Sequence, residues 1–164
     1  MNRPIGALVC VATLIGLLFL PSAAQAQGSR WERQVQRYIR ETTRKLGDEG
    51  YERTGQNRSG ALNTSETESF TLMLRAGGSY VVSGACDDDC TELDLALYAA
   101  NGYEVDVARE SGNAPILRVV PRETMVYRVK VVMAICRTNP CSYGIAVFVN
   151  TAKRPLSPPT AFKP

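Results

Sequence analysis

Histidine is absent from all 164 residues. That absence removes the Ser-His-Asp and Cys-His nucleophile arrangements, which need an imidazole base, and the common zinc sites, which draw on histidine. No glycine-rich phosphate loop follows a strand, and the aromatics are not interleaved with basic residues as in nucleic-acid modules. The formal net charge is only +3 at pH 7, so bulk electrostatics selects neither nucleic acid nor a membrane as partner. The longest apolar run, Ile5 to Leu20, is short for a bilayer span and ends in Pro21-Ser22-Ala23. A catalytic carboxylate pair needs a cleft and a protected general acid, and no stretch of this chain suggests either. The expectation is a protein without catalytic residues.

What is present first is an export signal. Arg3 supplies a positive n-region, Ile5 to Leu20 an apolar h-region, and Ala24-Gln25-Ala26 an A-x-A site, so residues 1–26 read as a signal peptide cleaved after Ala26. Cys10 lies ahead of most of the apolar run rather than at the cleavage point, and lipidation is not expected there. Of the five cysteines, four then remain in a chain sent to an oxidising compartment, where disulfides persist. Four cysteines allow three pairings. Local pairing, Cys86 with Cys90 and Cys136 with Cys141, is favoured because each pair sits at a strand end and locks one loop. The rival is cross-loop pairing of Cys86 or Cys90 with Cys136 or Cys141. A metal-thiolate site is a poor third.

Residues 28–47 read as one amphipathic helix. Ser29 and Glu32 match the S-x-x-E capping box, and Trp31, Val35, Tyr38, Ile39, Thr42 and Leu46 recur on one face. Arg30, Arg33, Arg37, Arg40, Arg44 and Lys45 occupy much of the rest, and Gly47 is the expected stop. Such a helix either packs its apolar face on its own domain or presents a basic surface to a partner or to anionic lipid. Packing is favoured.

Residues 48–150 read as a β-domain. The polar stretch up to Glu68 holds one irregular edge strand and two glycosylation sequons, at Asn57 and Asn63. Alternation then begins: Phe70, Leu72 and Leu74; Tyr80 and Val82; Leu93, Leu95 and Leu97; Tyr127, Val129, Val131 and Met133. Ala76-Gly77-Gly78 and Asn101-Gly102 mark turns. With no further helix pattern, this spacing implies an antiparallel sandwich or barrel rather than a parallel βαβ sheet. Residues 151–164 read as a disordered, proline-rich, basic tail.

Chemistry concentrates in one place. Asp87, Asp88, Asp89, Glu92 and Asp94 put five carboxylates within eight residues, three of them bracketed by Cys86 and Cys90. Crowded like charges favour a hard divalent cation with oxygen ligands, so these five are the candidate calcium ligands. The competing reading is a solvated acidic turn, or one that contacts the basic helix. The spacing is not that of an EF-hand. Tyr80, Tyr98, Tyr103, Tyr127 and Tyr143 either line a saccharide or peptide groove or sit half-buried on sandwich faces.

The order of these features resembles a known family. Leu74-Arg75-Ala76-Gly77, Tyr80-Val81-Val82, Leu93-Asp94-Leu95-Ala96-Leu97-Tyr98, Asn101-Gly102, Pro115-Ile116-Leu117, Thr124 through Val131 and Tyr143-Gly144 look like the bacterial pre-peptidase C-terminal domain, over roughly residues 60–149. The resemblance implies an all-β, jelly-roll-like antiparallel β-sandwich, here preceded by one N-terminal helix. It also implies a secreted or periplasmic bacterial protein without catalysis, often a binding or maturation module beside an extracellular hydrolase. Some relatives bind calcium, though no other cofactor is implied. The expected function is an exported binding module for an extracytoplasmic protein, peptide or glycan, possible calcium stabilisation included. The alternative is a structural or envelope-associated protein docking through the basic helix. No nucleic-acid partner is expected, and contact of the helix with a membrane surface is the less favoured use of it.

Overall fold

The computed structural model describes residues 29–109 and 112–150. The segments assigned above to a signal peptide (1–26) and a disordered tail (151–164) lie outside the described residues. Ser29 and Glu32 close the expected capping box: Ser29 Oγ accepts from the Glu32 N–H at 3.1 Å, and Glu32 Oε2 accepts from the Ser29 N–H at 2.6 Å. They start helix α1, Arg30–Asp48. Gly47 remains helical, and the left-handed residue that turns the chain is Gly50, at φ 83°. The stop therefore falls later than the glycine expected from the sequence.

Eight strands follow: β1 (Tyr51–Leu62), β2 (Thr67–Leu74), β3 (Ser79–Cys86), β4 (Cys90–Tyr98), β5 (Glu104–Ala108), β6 (Ile116–Val119), β7 (Met125–Cys136) and β8 (Cys141–Asn150). They pair first with last, antiparallel throughout: β1 with β8, β2 with β7, β3 with β6 and β4 with β5. Two further pairings, β3 with β8 and β4 with β7, roll this long double ribbon into two sheets, ordered β1-β8-β3-β6 and β2-β7-β4-β5. The result is a jelly-roll-like β-sandwich with one N-terminal helix, as the sequence implied.

Two cores hold the layers. Between the sheets lie Leu72, Leu74, Leu93, Leu95, Leu97 and the inward residues of β7 and β8. Each fully buried large side chain contributes roughly 1.5–3 kcal/mol. On the far side of the β1-β8-β3-β6 sheet, Val35, Ile39 and Leu46 of α1 pack on Val81, Ala85, Ala146 and Phe148. The strands β3 and β8 are thus buried on both faces. Gly144 permits the close approach, since a Cβ there would lie 2.7 Å from Val35 Cγ1. Among the described residues no helix covers the outer face of the other sheet.

The strand β1 is an edge, exposed over most of its length, with a bulge between Arg53 and Asn57. Gln56 reaches across the sandwich and pairs with the backbone of the other edge: its Oε1 accepts from Met73 N at 3.1 Å and its Nε2 donates to Met73 O at 3.3 Å. The bulge interrupts the first half of the β1 edge, and the Gln56 side chain occupies the Met73 N–H and C=O on the β2 edge, so each edge that would otherwise invite another chain is blunted in part.

Candidate functional site

The acidic loop is organised by its own backbone. The structure joins Cys86 to Cys90 and Cys136 to Cys141, so the pairing is local. Cys90 stands opposite Cys136 in the β4–β7 register, which brings the two loops side by side. Arg137 then donates its N–H to Asp89 O at 2.8 Å and its guanidinium to Asp88 O at 2.7 Å.

The five candidate carboxylates do not gather. Asp87 is 1 % exposed and turns inward, where Oδ2 accepts from Ser142 N at 2.6 Å and Oδ1 from Asp89 N at 3.2 Å. Asp88 turns towards the helix: its Oδ1 accepts from Tyr38 Oη–H at 2.6 Å, and its N–H donates to Gln34 Oε1 at 3.2 Å. The contact between acidic loop and basic helix exists, but a tyrosine and a glutamine make it. Glu92 and Asp94 alternate with Leu93 and Leu95 and so lie on the outer face of their sheet, away from Asp87. Among the described residues no three acidic, cysteine or histidine side chains come together as a metal site. Calcium takes six to eight oxygens, so the residues present do not form its shell.

The tyrosines likewise separate. Tyr80, Tyr127 and Tyr143 are core residues, Tyr98 lies on the open face beneath the Arg128 guanidinium, and Tyr103 is 70 % exposed at the turn before β5. They form no aromatic row.

A concave surface lies where no local sequence pattern marks one. A groove of about 700 Å³ runs between the first half of α1 and the second half of β1. Glu32, Arg33, Gln36 and Arg40 form the helical wall, Ser59, Gly60 and Ala61 the strand side, and Ser142 and Tyr143 complete it. A depression of about 100 Å³ adjoins it, sharing Gln36 and Ser59 and reaching Arg53 and Arg58. Its floor is shallow in side chains because β1 carries small residues there. At Gly60 this is required, since a Cβ would lie 3.0 Å from the Tyr143 ring. The sequence signal was the run Ser59-Gly60-Ala61 opposite an arginine-rich helix, residues that only the fold brings together.

Beneath the groove, Tyr143 donates to Glu68 Oε2 at 2.6 Å, and the Arg58 guanidinium donates to Glu68 Oε1. The Tyr143 hydroxyl, helped by Arg58, holds the Glu68 carboxyl below the usual carboxylate range, against the opposing effect of partial burial. Burial, then Glu68, pushes the Tyr143 phenol up. A depressed folded-state pKa stabilises the fold above the unfolded value and loses that contribution as pH falls through the folded one. In thermal melts between pH 7 and pH 2, the wild type should therefore lose an increment of stability below about pH 4 that Glu68→Gln lacks. Parallel pH profiles for the two proteins would show that this latch contributes nothing.

Glu32 lines the groove and accepts from the Ser29 N–H. The helical wall thus carries two guanidiniums, Arg33 and Arg40, to one carboxylate, an excess of positive charge that suits anionic groups.

No protein-family model matches the chain, and no curated protein does. Among solved structures it is similar to the pre-peptidase C-terminal domain of a collagenase from Bacillus anthracis, at 12 % identity and a TM-score of 0.44, over 56 % of this chain and 87 % of that one. It is similar also to a periplasmic inhibitor of g-type lysozyme from Aeromonas hydrophila, at 13 % identity and a TM-score of 0.43, over 57 % and 84 %. The first is a domain of the kind that the sequence resembles. Likeness of this size assigns no ligand.

Proposed function

We propose that this chain is an exported, non-catalytic binding module for a protein, peptide or glycan, and that it seats an anionic stretch of that ligand in the groove between α1 and β1. The observation that carries this reading is the groove itself, with Arg33 and Arg40 on one wall and a small-residue floor opposite. The two disulfides support an extracytoplasmic setting.

The alternative, an envelope-associated protein docking through its basic helix, has less support. Lipid insertion needs an apolar helix face, and Val35, Ile39 and Leu46 already pack on the sheet beneath. Among the described residues no helix is long and apolar enough to cross a membrane. Only the arginine crest remains for surface contact.

The test is titration of the oxidised protein with polyanions, a polyglutamate and a sulfated dextran, against polylysine as control. Binding should weaken about tenfold or more in the Arg33→Glu, Arg40→Glu double variant, since the charges reverse at a shared seat. Cosedimentation with anionic vesicles that exceeds binding to every soluble polyanion would favour the envelope reading instead.

A further inference from the structure

Resting on that reading, we propose that the ligand is an acidic, extended protein segment, which adds as a strand to the free edge of β1 at residues 57–62 and turns its carboxylates towards Arg33 and Arg40.

Four observations converge on this. First, β1 ends its sheet, with β8 as its only strand neighbour among the described residues. Alternate residues of an antiparallel edge direct their N–H and C=O groups outward, ready to pair with another chain. Second, the protection of that edge is uneven. The bulge breaks the first half, where Thr54 Oγ1 accepts from the Gln56 N–H and Asn57 Nδ2 donates to Gly55 O, whereas Asn57 to Leu62 keep an unbroken register with Ala146 to Cys141. The regular half is the half that borders the groove.

Third, the charges sit at usable spacing. Arg33 and Arg40 stand about 10 Å apart along the helix axis. Carboxylates two or four positions apart on a strand lie roughly 7 or 14 Å apart, which brackets that span for side chains as long as arginine. Fourth, among the described residues the groove offers a sugar no exposed aromatic face to stack on. Tyr143 of β8 is 1 % exposed, and the aromatic residues of the helix, Trp31 and Tyr38, are not among the groove's lining residues. A polypeptide meets both the backbone edge and the guanidiniums, whereas an anionic glycan meets only the second.

The experiment uses the oxidised protein and a fluorescent ten-residue peptide alternating glutamate and threonine. Its comparators are the alternating lysine–threonine peptide, two versions of the acidic peptide N-methylated at one or the other set of alternate residues, and heparin. The acidic peptide should bind and the lysine peptide should not. At least one N-methylated version should bind about tenfold or more weakly, because methylation removes several pairing donors and leaves the charge intact. Arg33→Glu with Arg40→Glu should weaken the acidic peptide by a similar factor, while Arg37→Glu with Arg44→Glu, on the crest outside the groove, should change it less than about threefold.

Equal binding of both N-methylated peptides would overturn strand addition and leave the groove reading standing. So would heparin binding that depends on Arg33 and Arg40 without any binding of the acidic peptide. Crest and groove variants that weaken binding equally, or no anion bound at all, would sink both readings.

Discussion

Phe148→Ala should lower the unfolding free energy by about 3–5 kcal/mol, the usual cost of emptying a buried aromatic site. For a domain of this size the melting temperature would fall by roughly 10–20 °C. Phe148 is 0 % exposed and does not face the sandwich interior: it points outward from β8 into the cluster that Val35, Ile39 and Leu46 close from above. Its loss therefore tests whether α1 is a structural layer or an appended arm. Urea unfolding with circular dichroism reads the answer. A cost under about 1.5 kcal/mol would mean that the helix lifts away cheaply, and with it would go the rigid wall on which the groove depends. Arg44→Ala on the same helix, exposed at its crest, should change stability by no more than about 0.5 kcal/mol.

The same cluster explains which parts of this fold were legible in the sequence. Leu93, Leu95 and Leu97, like Tyr127, Val129, Val131 and Met133, alternate because one face of their sheet meets the core and the other meets water. The helix was legible through its capping box and its apolar spacing. The strands β3 and β8 read less cleanly, since α1 buries their second face and erases the alternation. The edge strand β1 was reduced to an irregular stretch for the opposite reason. With nearly every position exposed, it has no hydrophobic period to show. The first-with-last pairing was not legible from the residues themselves, because local patterns carry no record of which distant strand closes a ribbon. The resemblance supplied that.

The groove and the acidic loop show how little sequence distance says about a shared surface. Arg33, Gly60 and Tyr143 are far apart in sequence and share a surface. Asp87 and Asp94 are close in sequence and share none. Adjacent carboxylates on a strand point to opposite faces, and a turn with unpaired N–H groups draws the nearest acid inward to satisfy them. Sequence proximity measures neither effect.

That inward draw has a sharp consequence for the acidic loop. Asp87→Ala should cost about 2–3 kcal/mol, whereas Asp88→Ala and Asp89→Ala should each cost less than about 1 kcal/mol. Asp87 is the buried member, and its carboxylate accepts the N–H groups of Ser142 and Asp89, tying the start of β8 to the loop after β3. Hydrogen bonds to a charged group contribute about 1.5–3 kcal/mol, and truncation leaves the Ser142 N–H without its acceptor at a part-buried position. Asp88 bonds Tyr38 at an exposed position, where water replaces the lost partner. Asp87→Asn, which keeps one acceptor oxygen, should fall between the two. The same melts repeated with millimolar calcium and with a chelator decide between a structural and a metal-binding loop. A site with a dissociation constant near 10 μM would gain about 2.7 kcal/mol at 1 mM calcium by mass action. The geometry of Asp87 predicts no such gain, and a shift of under about 1 °C in wild type and variants alike. A calcium-specific rise in the wild type that Asp87→Asn abolishes would overturn the structural role assigned to this carboxylate, because one side chain cannot both satisfy those two N–H groups and turn outward to a cation.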